Sequence, residues 1–190
     1  GVLLNLGLNH DNVFGTGKTV GIRLEDSAST KLYELSYMNP YYTLEGVSRG
    51  FSLSLRKSDS AEDNFTNYLL DQVKVSVQYI IPTSEYNSFG FSIGAVQNDL
   101  RITSTSSTEV LDFIVNNNSQ FNDSTDTSII SGDSYTSVFG SASVSSDSRN
   151  RQIFADSGHL NSLALQVFNG ELDYYKASYR HQSVFSLAEK

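Results

Sequence analysis

Nine short segments of this chain alternate apolar and polar residues with a period of two. Successive side chains of a β-strand point to opposite faces, so each segment reads as a strand with one apolar and one polar face. Val2, Leu4, Leu6 and Leu8 oppose Asn5, Gly7 and Asn9. Val20, Ile22 and Leu24 alternate with Gly21, Arg23 and Glu25, and Tyr33, Leu35 and Tyr37 with Glu34 and Ser36. Phe51, Leu53 and Leu55 oppose Ser52, Ser54 and Arg56, and Val73, Val75, Val77 and Tyr79 oppose Gln72, Lys74, Ser76 and Gln78. Phe89, Phe91, Ile93 and Ala95 alternate with Gly90, Ser92 and Gly94. Three weaker repeats follow: Val138, Gly140, Ala142 and Val144 against Ser137, Phe139, Ser141 and Ser143; Leu163, Leu165 and Val167 against Ala164 and Gln166; Tyr175, Ala177 and Tyr179 against Lys176, Ser178 and Arg180. The expectation is an all-β, antiparallel, up-and-down meander of about eight to ten strands, nine by this reading, in a single domain over residues 1–190.

The alternation suits two architectures. A soluble sandwich would turn the apolar faces inward and the polar faces to water. A membrane β-barrel would turn the apolar faces to lipid and the polar faces to its lumen. Three features favour the barrel. Small and charged residues (Gly21, Arg23, Glu34, Arg56, Lys74) mix on the polar face, as a packed lumen requires. Tyr41, Tyr42, Tyr79 and Tyr86 lie near strand ends, where an interfacial girdle would sit. Connections fall into two alternating sets, 13–18, 39–48, 82–87 and 147–158 against 26–30, 58–68, 98–134 and 169–173; the second set holds a long polar loop, and long loops at one end with short turns at the other match outer-membrane topology, long loops outside. Within that loop Val110, Leu111, Asp112, Phe113, Ile114 and Val115 form an apolar island that reads as a short helix or an inward-folded flap.

Composition removes several classes of function. A net charge of −8, from 13 basic and 21 acidic residues, argues against nucleic acid, whose phosphates need basic patches. No run approaches the roughly 18 apolar residues of a transmembrane helix. With no cysteine there is no disulfide, thiolate metal site or Cys nucleophile. His10, His159 and His181 lack ligand spacing. Asn122, Asp123, Ser124, Thr125 and Asp126 lack the Gly and terminal Glu of a calcium loop. Gly15, Thr16, Gly17 and Lys18 lack phosphate-loop spacing, and no G-x-S-x-G elbow accompanies the serines. The expectations are no metal, no cofactor and no enzymatic activity. Gly1 opens directly on a strand-like pattern, so the chain reads as mature or trimmed.

The connections carry a more specific signal. Asn12-Val13-Phe14-Gly15-Thr16-Gly17 precedes the strand Tyr33-Glu34-Leu35-Ser36-Tyr37, then Asn39-Pro40-Tyr41-Tyr42-Thr43 and Gly46-Val47-Ser48. Ile81-Pro82-Thr83-Ser84-Glu85-Tyr86-Asn87-Ser88 comes next, and Arg151-Gln152-Ile153-Phe154-Ala155-Asp156-Ser157-Gly158 is followed by Tyr174-Tyr175-Lys176. In this order, these motifs resemble the N-terminal half of the transmembrane barrel of the BamA family of outer-membrane protein assembly factors, roughly its strands two to ten, over essentially the whole chain. The turn residues that carry the likeness are Gly15, Gly17, Asn39, Pro40, Tyr41, Gly46, Pro82, Phe154 and Gly158. Ala155 departs from it, standing where the family usually has Pro. The family's preceding strand, its POTRA domains and its Val-Arg-Gly-Phe loop motif have no counterpart here.

The resemblance implies a bacterial outer-membrane location, with membrane lipids, lipopolysaccharide, client outer-membrane proteins or a second copy of the chain as partners. It implies assembly of other barrels by strand exchange and bilayer destabilisation. The isolated chain is expected to be structural and not insertase-competent, because the strands of the family's lateral gate have no counterpart. Lipid-facing residues are then the apolar rows from Val20 to Tyr79, with Phe89, Phe91, Ile93, Leu163, Leu165 and Val167. Arg23, Glu25, Glu34, Arg56, Lys74 and Arg180 would make a pore constriction or a structural lumen network; side chains fill small barrels, which favours the network. Two alternatives stand: a self-contained small outer-membrane barrel acting as anchor or surface protein, and a soluble β-sandwich binding module.

Overall fold

The computed structural model describes residues 3–59, 68–103, 106, 129–151 and 154–185. They form one antiparallel sheet of nine strands in sequence order: β1 (Leu4–His10), β2 (Thr19–Asp26), β3 (Thr30–Asn39), β4 (Ser48–Asp59), β5 (Tyr68–Pro82), β6 (Asn87–Thr103), β7 (Ile129–Asp147), β8 (Gly158–Gly170) and β9 (Tyr174–Val184). The nine segments read from the alternation are these nine strands, in an up-and-down meander. Val2 and the apolar island 110–115 lie outside the described residues, as does 122–126. A sandwich needs a second sheet facing the first; among the described residues there is one sheet, and no described helix is long and apolar enough to cross a membrane.

Register converts local alternation into two continuous faces. Across β1 to β7 one apolar row runs Leu8, Ile22, Leu35, Leu53, Val75, Ala95, Val138, each paired with the next. One residue along, a row on the other face runs Gly21, Ser36, Ser52, Ser76, Gly94, Phe139, Phe168. A one-residue slip at any pair would put Ser beside Leu along the whole strand, so the pattern itself pins the register. Hydroxyl pairs add to the polar face: Ser52 and Ser76 Oγ lie 2.7 Å apart, Ser92 and Ser141 Oγ 2.6 Å. Small residues also let that face curve inward; a Cβ on Gly94 would lie 2.6 Å from Phe139 Cζ and closer still to the Val75 carbonyl.

The strands run further than the alternation implied. Residues 98–103 and 129–134, read as parts of a connection, are paired strand, with Asp99 opposite Ser134 and Arg101 opposite Gly132. There the outward row is charged, with Asp99 and Arg101, while Leu100 and Ile102 turn to the inward face, so the apolar-outward signal inverts while the backbone ladder continues. The expected contrast of long and short connections also needs correcting. Residues 27–29 and 171–173, at the end assigned long loops, are three-residue turns. The first is closed by Ser27 Oγ accepting from the Thr30 amide at 2.9 Å, and the second by Asp173 Oδ1 accepting from the Gly170 amide at 2.9 Å. No pairing joins β1 to β9 among the described residues, so the sheet has two edges.

At the opposite end the connections are held by local hydrogen bonds. The Val13–Gly15 3-10 turn is closed by the Val13 amide donating to the Lys18 carbonyl at 2.8 Å and by Asn12 Oδ1 accepting from the Gly17 amide at 2.6 Å. Phe14 and Phe154 both adopt positive φ, 52° and 55°, uncommon for aromatic residues.

Candidate functional site

The outward apolar face has no covering layer. Ile93 is 66% exposed, Val75 51% and Leu53 41%, and the same holds for Leu35, Phe91, Leu163, Leu165 and Val167. Buried apolar side chains lie instead on the face that carries the serines: Leu32, Val96, Ile102, Tyr135, Phe139 and Phe168. Of the expected lipid-facing residues, Val20, Leu24, Tyr37, Val77 and Tyr79 are half-buried among their neighbours, yet all share the outward face by register.

Polar residues bound this face at both ends. On β4 the outward row reads Arg49, Phe51, Leu53, Leu55, Lys57; on β3 it reads Lys31, Tyr33, Leu35, Tyr37, Asn39. Eight residues at about 3.3 Å each span about 26 Å along a strand, and a tilt near 40° leaves about 20 Å along the normal, close to the roughly 25 Å apolar band of outer-membrane barrels. The long-loop margin is charged and paired: Asp71 accepts from Arg101 at 2.6 Å and meets Lys57 at 3.3 Å, and Lys31 lies 3.8 Å from Asp26. The turn margin is aromatic. Tyr42 meets Tyr79 edge-on at 6.1 Å, Tyr79 stacks on Phe91 at 5.0 Å, and Phe14 and Phe154, 96% and 88% exposed, project from the turns themselves.

The six charged residues expected in the lumen all fall on the inward face, but few meet one another. Arg23 pairs with Glu25 at 3.2 Å. Glu34 lies opposite Arg23 in the register without an ion pair. Lys74 rests over the Phe139 ring, 4.6 Å from its centroid. Arg56 lies opposite Gln72 and Arg180 opposite Ser162. An aromatic stack not anticipated from the sequence, Phe139 on Phe168 at 5.3 Å and Phe168 on Tyr174 at 4.2 Å, fills the space beside Gly94. Phe139's place among serines was the available signal.

The turn motifs sit together at the aromatic end. Gly15, Gly17, Gly46 and Gly158 take positive φ that L side chains rarely adopt. Asn39 Oδ1 accepts from the Tyr41 amide at 3.2 Å, the Pro40 carbonyl accepts from Ser48 Oγ at 3.1 Å, and Pro82 ends β5. Past the apolar belt, hydrogen bonds from Arg149 hold the Asp147 carboxyl below its ordinary range. Among the described residues no group of three or more His, Asp or Glu could hold a metal ion.

A family model described as the Omp85 superfamily domain matches residues 12–190. The outer membrane protein assembly factor BamA of Neisseria meningitidis serogroup B is 30% identical over 97 residues, which cover 50% of this chain and 12% of that protein. The crystal structure of BamA from Haemophilus ducreyi lacking POTRA domains 1-3 superposes with a TM-score of 0.79 at 21% identity, covering 95% of this chain and 34% of that one. The chain thus spans well under half the length of each of these relatives, and the structural likeness speaks for the fold.

Proposed function

Because the chain belongs to the Omp85 superfamily, we propose that it forms part of a transmembrane β-barrel of a bacterial outer membrane and serves there in assembling other outer-membrane proteins. One observation carries the membrane reading: a single sheet leaves a continuous apolar face exposed and keeps its few buried side chains on the serine-bearing face, the reverse of a water-soluble fold. The apolar face meets lipid, and its charged long-loop margin meets lipopolysaccharide. Work on client proteins proceeds without covalent chemistry, through backbone pairing and disturbance of the bilayer. The edges β1 and β9 carry unpaired backbone groups, each costing several kcal/mol if left facing lipid. Strands of the same barrel, of a second copy or of a client would satisfy them. The 190-residue chain by itself is a structural element of this machinery.

The test is membrane extraction combined with heat-modifiability. Resistance to alkaline carbonate and a faster-migrating unboiled band on SDS electrophoresis support the reading. A protein that leaves the membrane with carbonate, or stays folded and monomeric without detergent, refutes it.

A further inference from the structure

Arg49 stands at the turn margin of the outward face, next in its row to Phe51 and opposite Tyr79. Its guanidinium lies over aromatic rings, with Cζ 3.9 Å from the Tyr42 centroid and 5.3 Å from that of Phe51. Tyr42 is braced by Tyr79, and Tyr79 by Phe91, so the support is rigid. Lys31, Lys57 and Arg101 at the other margin end on carboxylates; Arg49 does not, and while its Nε is enclosed by the chain, its two terminal nitrogens stay accessible with no hydrogen-bond partner among the described residues. No ion pair or side-chain hydrogen bond links Arg49 to another described residue.

A cation beside hydrocarbon needs its donors satisfied. Cation–π contact with Tyr42 holds the guanidinium against the ring and offsets part of its desolvation, but supplies no acceptor for its N–H groups. A planar guanidinium at the polar boundary of an apolar belt suits a phosphate, which accepts two parallel N–H bonds from it. We propose that Arg49, seated on Tyr42, binds the phosphodiester of a phospholipid in the leaflet that meets the turn end. The site rests on the membrane reading above. It would hold one lipid headgroup beside β4 and fix the depth of the barrel there.

The test uses the membrane-extracted protein in an uncharged maltoside detergent, titrated with short-chain phosphatidylglycerol and read by native mass spectrometry. Arg49→Gln is expected to weaken lipid binding about tenfold, the loss of a bidentate charge-assisted pair. Arg49→Lys should lose a lesser share, since an ammonium cannot bind bidentately. Equal binding by wild type and Arg49→Gln overturns the assignment. So does displacement of the lipid by inorganic phosphate at equal concentration, which would make this a plain anion site. Release of the wild type by alkaline carbonate defeats the membrane reading itself, whereas a retained protein indifferent to Arg49→Gln defeats only the lipid site.

Discussion

Replacing Leu53 with Arg separates a lipid-facing surface from a water-facing one. Leu53 lies on β4 midway between Arg49 and Lys57, four residues or about 13 Å along the strand from each margin, and between Leu35 and Val75 on the neighbouring strands. At 41% exposure in water, such a substitution would alter stability by about 0.5 kcal/mol or less. At the midplane of a bilayer it costs about 2–4 kcal/mol, or about 30- to 1000-fold in the folding equilibrium, and the cost falls to about 0–1 kcal/mol near the interfaces. Gln97→Arg supplies a shallower comparison, since Gln97 pairs with Val73 halfway between the Leu53 row and the Asp71–Asp99 margin and its side chain already meets Asp99, so its cost should fall between the two limits. Urea unfolding in phosphatidylcholine vesicles, scored by the heat-modifiable band, measures both. A Leu53→Arg protein within 0.5 kcal/mol of wild type, or a Gln97→Arg protein equally damaged, would refute the belt and its depth.

Other consequences follow from the inward face and the margins. Gly94→Ala should cost about 1–3 kcal/mol, because its Cβ would meet the Val75 carbonyl and Phe139, whereas Gly21→Ala should cost less, since there the close atom is the rotatable Ser36 hydroxyl; the same urea titration compares them. Asp71→Asn removes the carboxylate shared by Arg101 and Lys57 and should cost about 1 kcal/mol, with little further effect from Lys57→Gln in the double variant. The Asp147 carboxyl is depressed by Arg149, so its pairing contributes fully above the ordinary carboxylate pKa, about 3.9, and is lost as pH falls through its lower folded value. Exchange of the Arg149 amide, which donates to Asp147 Oδ1 at 3.2 Å, should stay protected down to that range and open below it, and Asp147→Asn should abolish the pH dependence.

What the sequence could disclose depended on whether a property is local. That Leu53 and Val75 share a face follows from alternation within each strand, and that Leu53 stands beside Leu35 follows from two such patterns and a short turn. Phe139's partner could not be found that way. The segment around Phe139 tells that its ring joins the serine face, but the Gly94 that makes room for it lies on β6, across the long connection. Phe168 and Tyr174 reach the same space from β8 and β9. Their stack is a product of register across three hairpins. The extensions of β6 and β7 stayed hidden for another reason: past the belt Asp99 and Arg101 face outward while Leu100 and Ile102 turn inward, the inverse of the pattern that marks the rest of β6.

The same distinction explains why the margins hold more information than the middle of the sheet. Within the belt, lipid asks only for an apolar side chain, so Leu, Val, Ile and Phe are nearly interchangeable and the pattern identifies a class of environment. At the margin a side chain must satisfy hydrocarbon below and headgroups above, and few residues do both. Lys57 and Arg101 meet that demand through Asp71. Arg49 meets half of it through Tyr42, and its terminal guanidinium nitrogens have no acceptor among the described residues. A barrel surrounded by phospholipid would offer acceptors at that height, so the open guanidinium edge and the aromatic shelf fit the proposal that the boundary of the bilayer passes through Arg49. On that proposal one residue would set the vertical position of the sheet as well as a binding site.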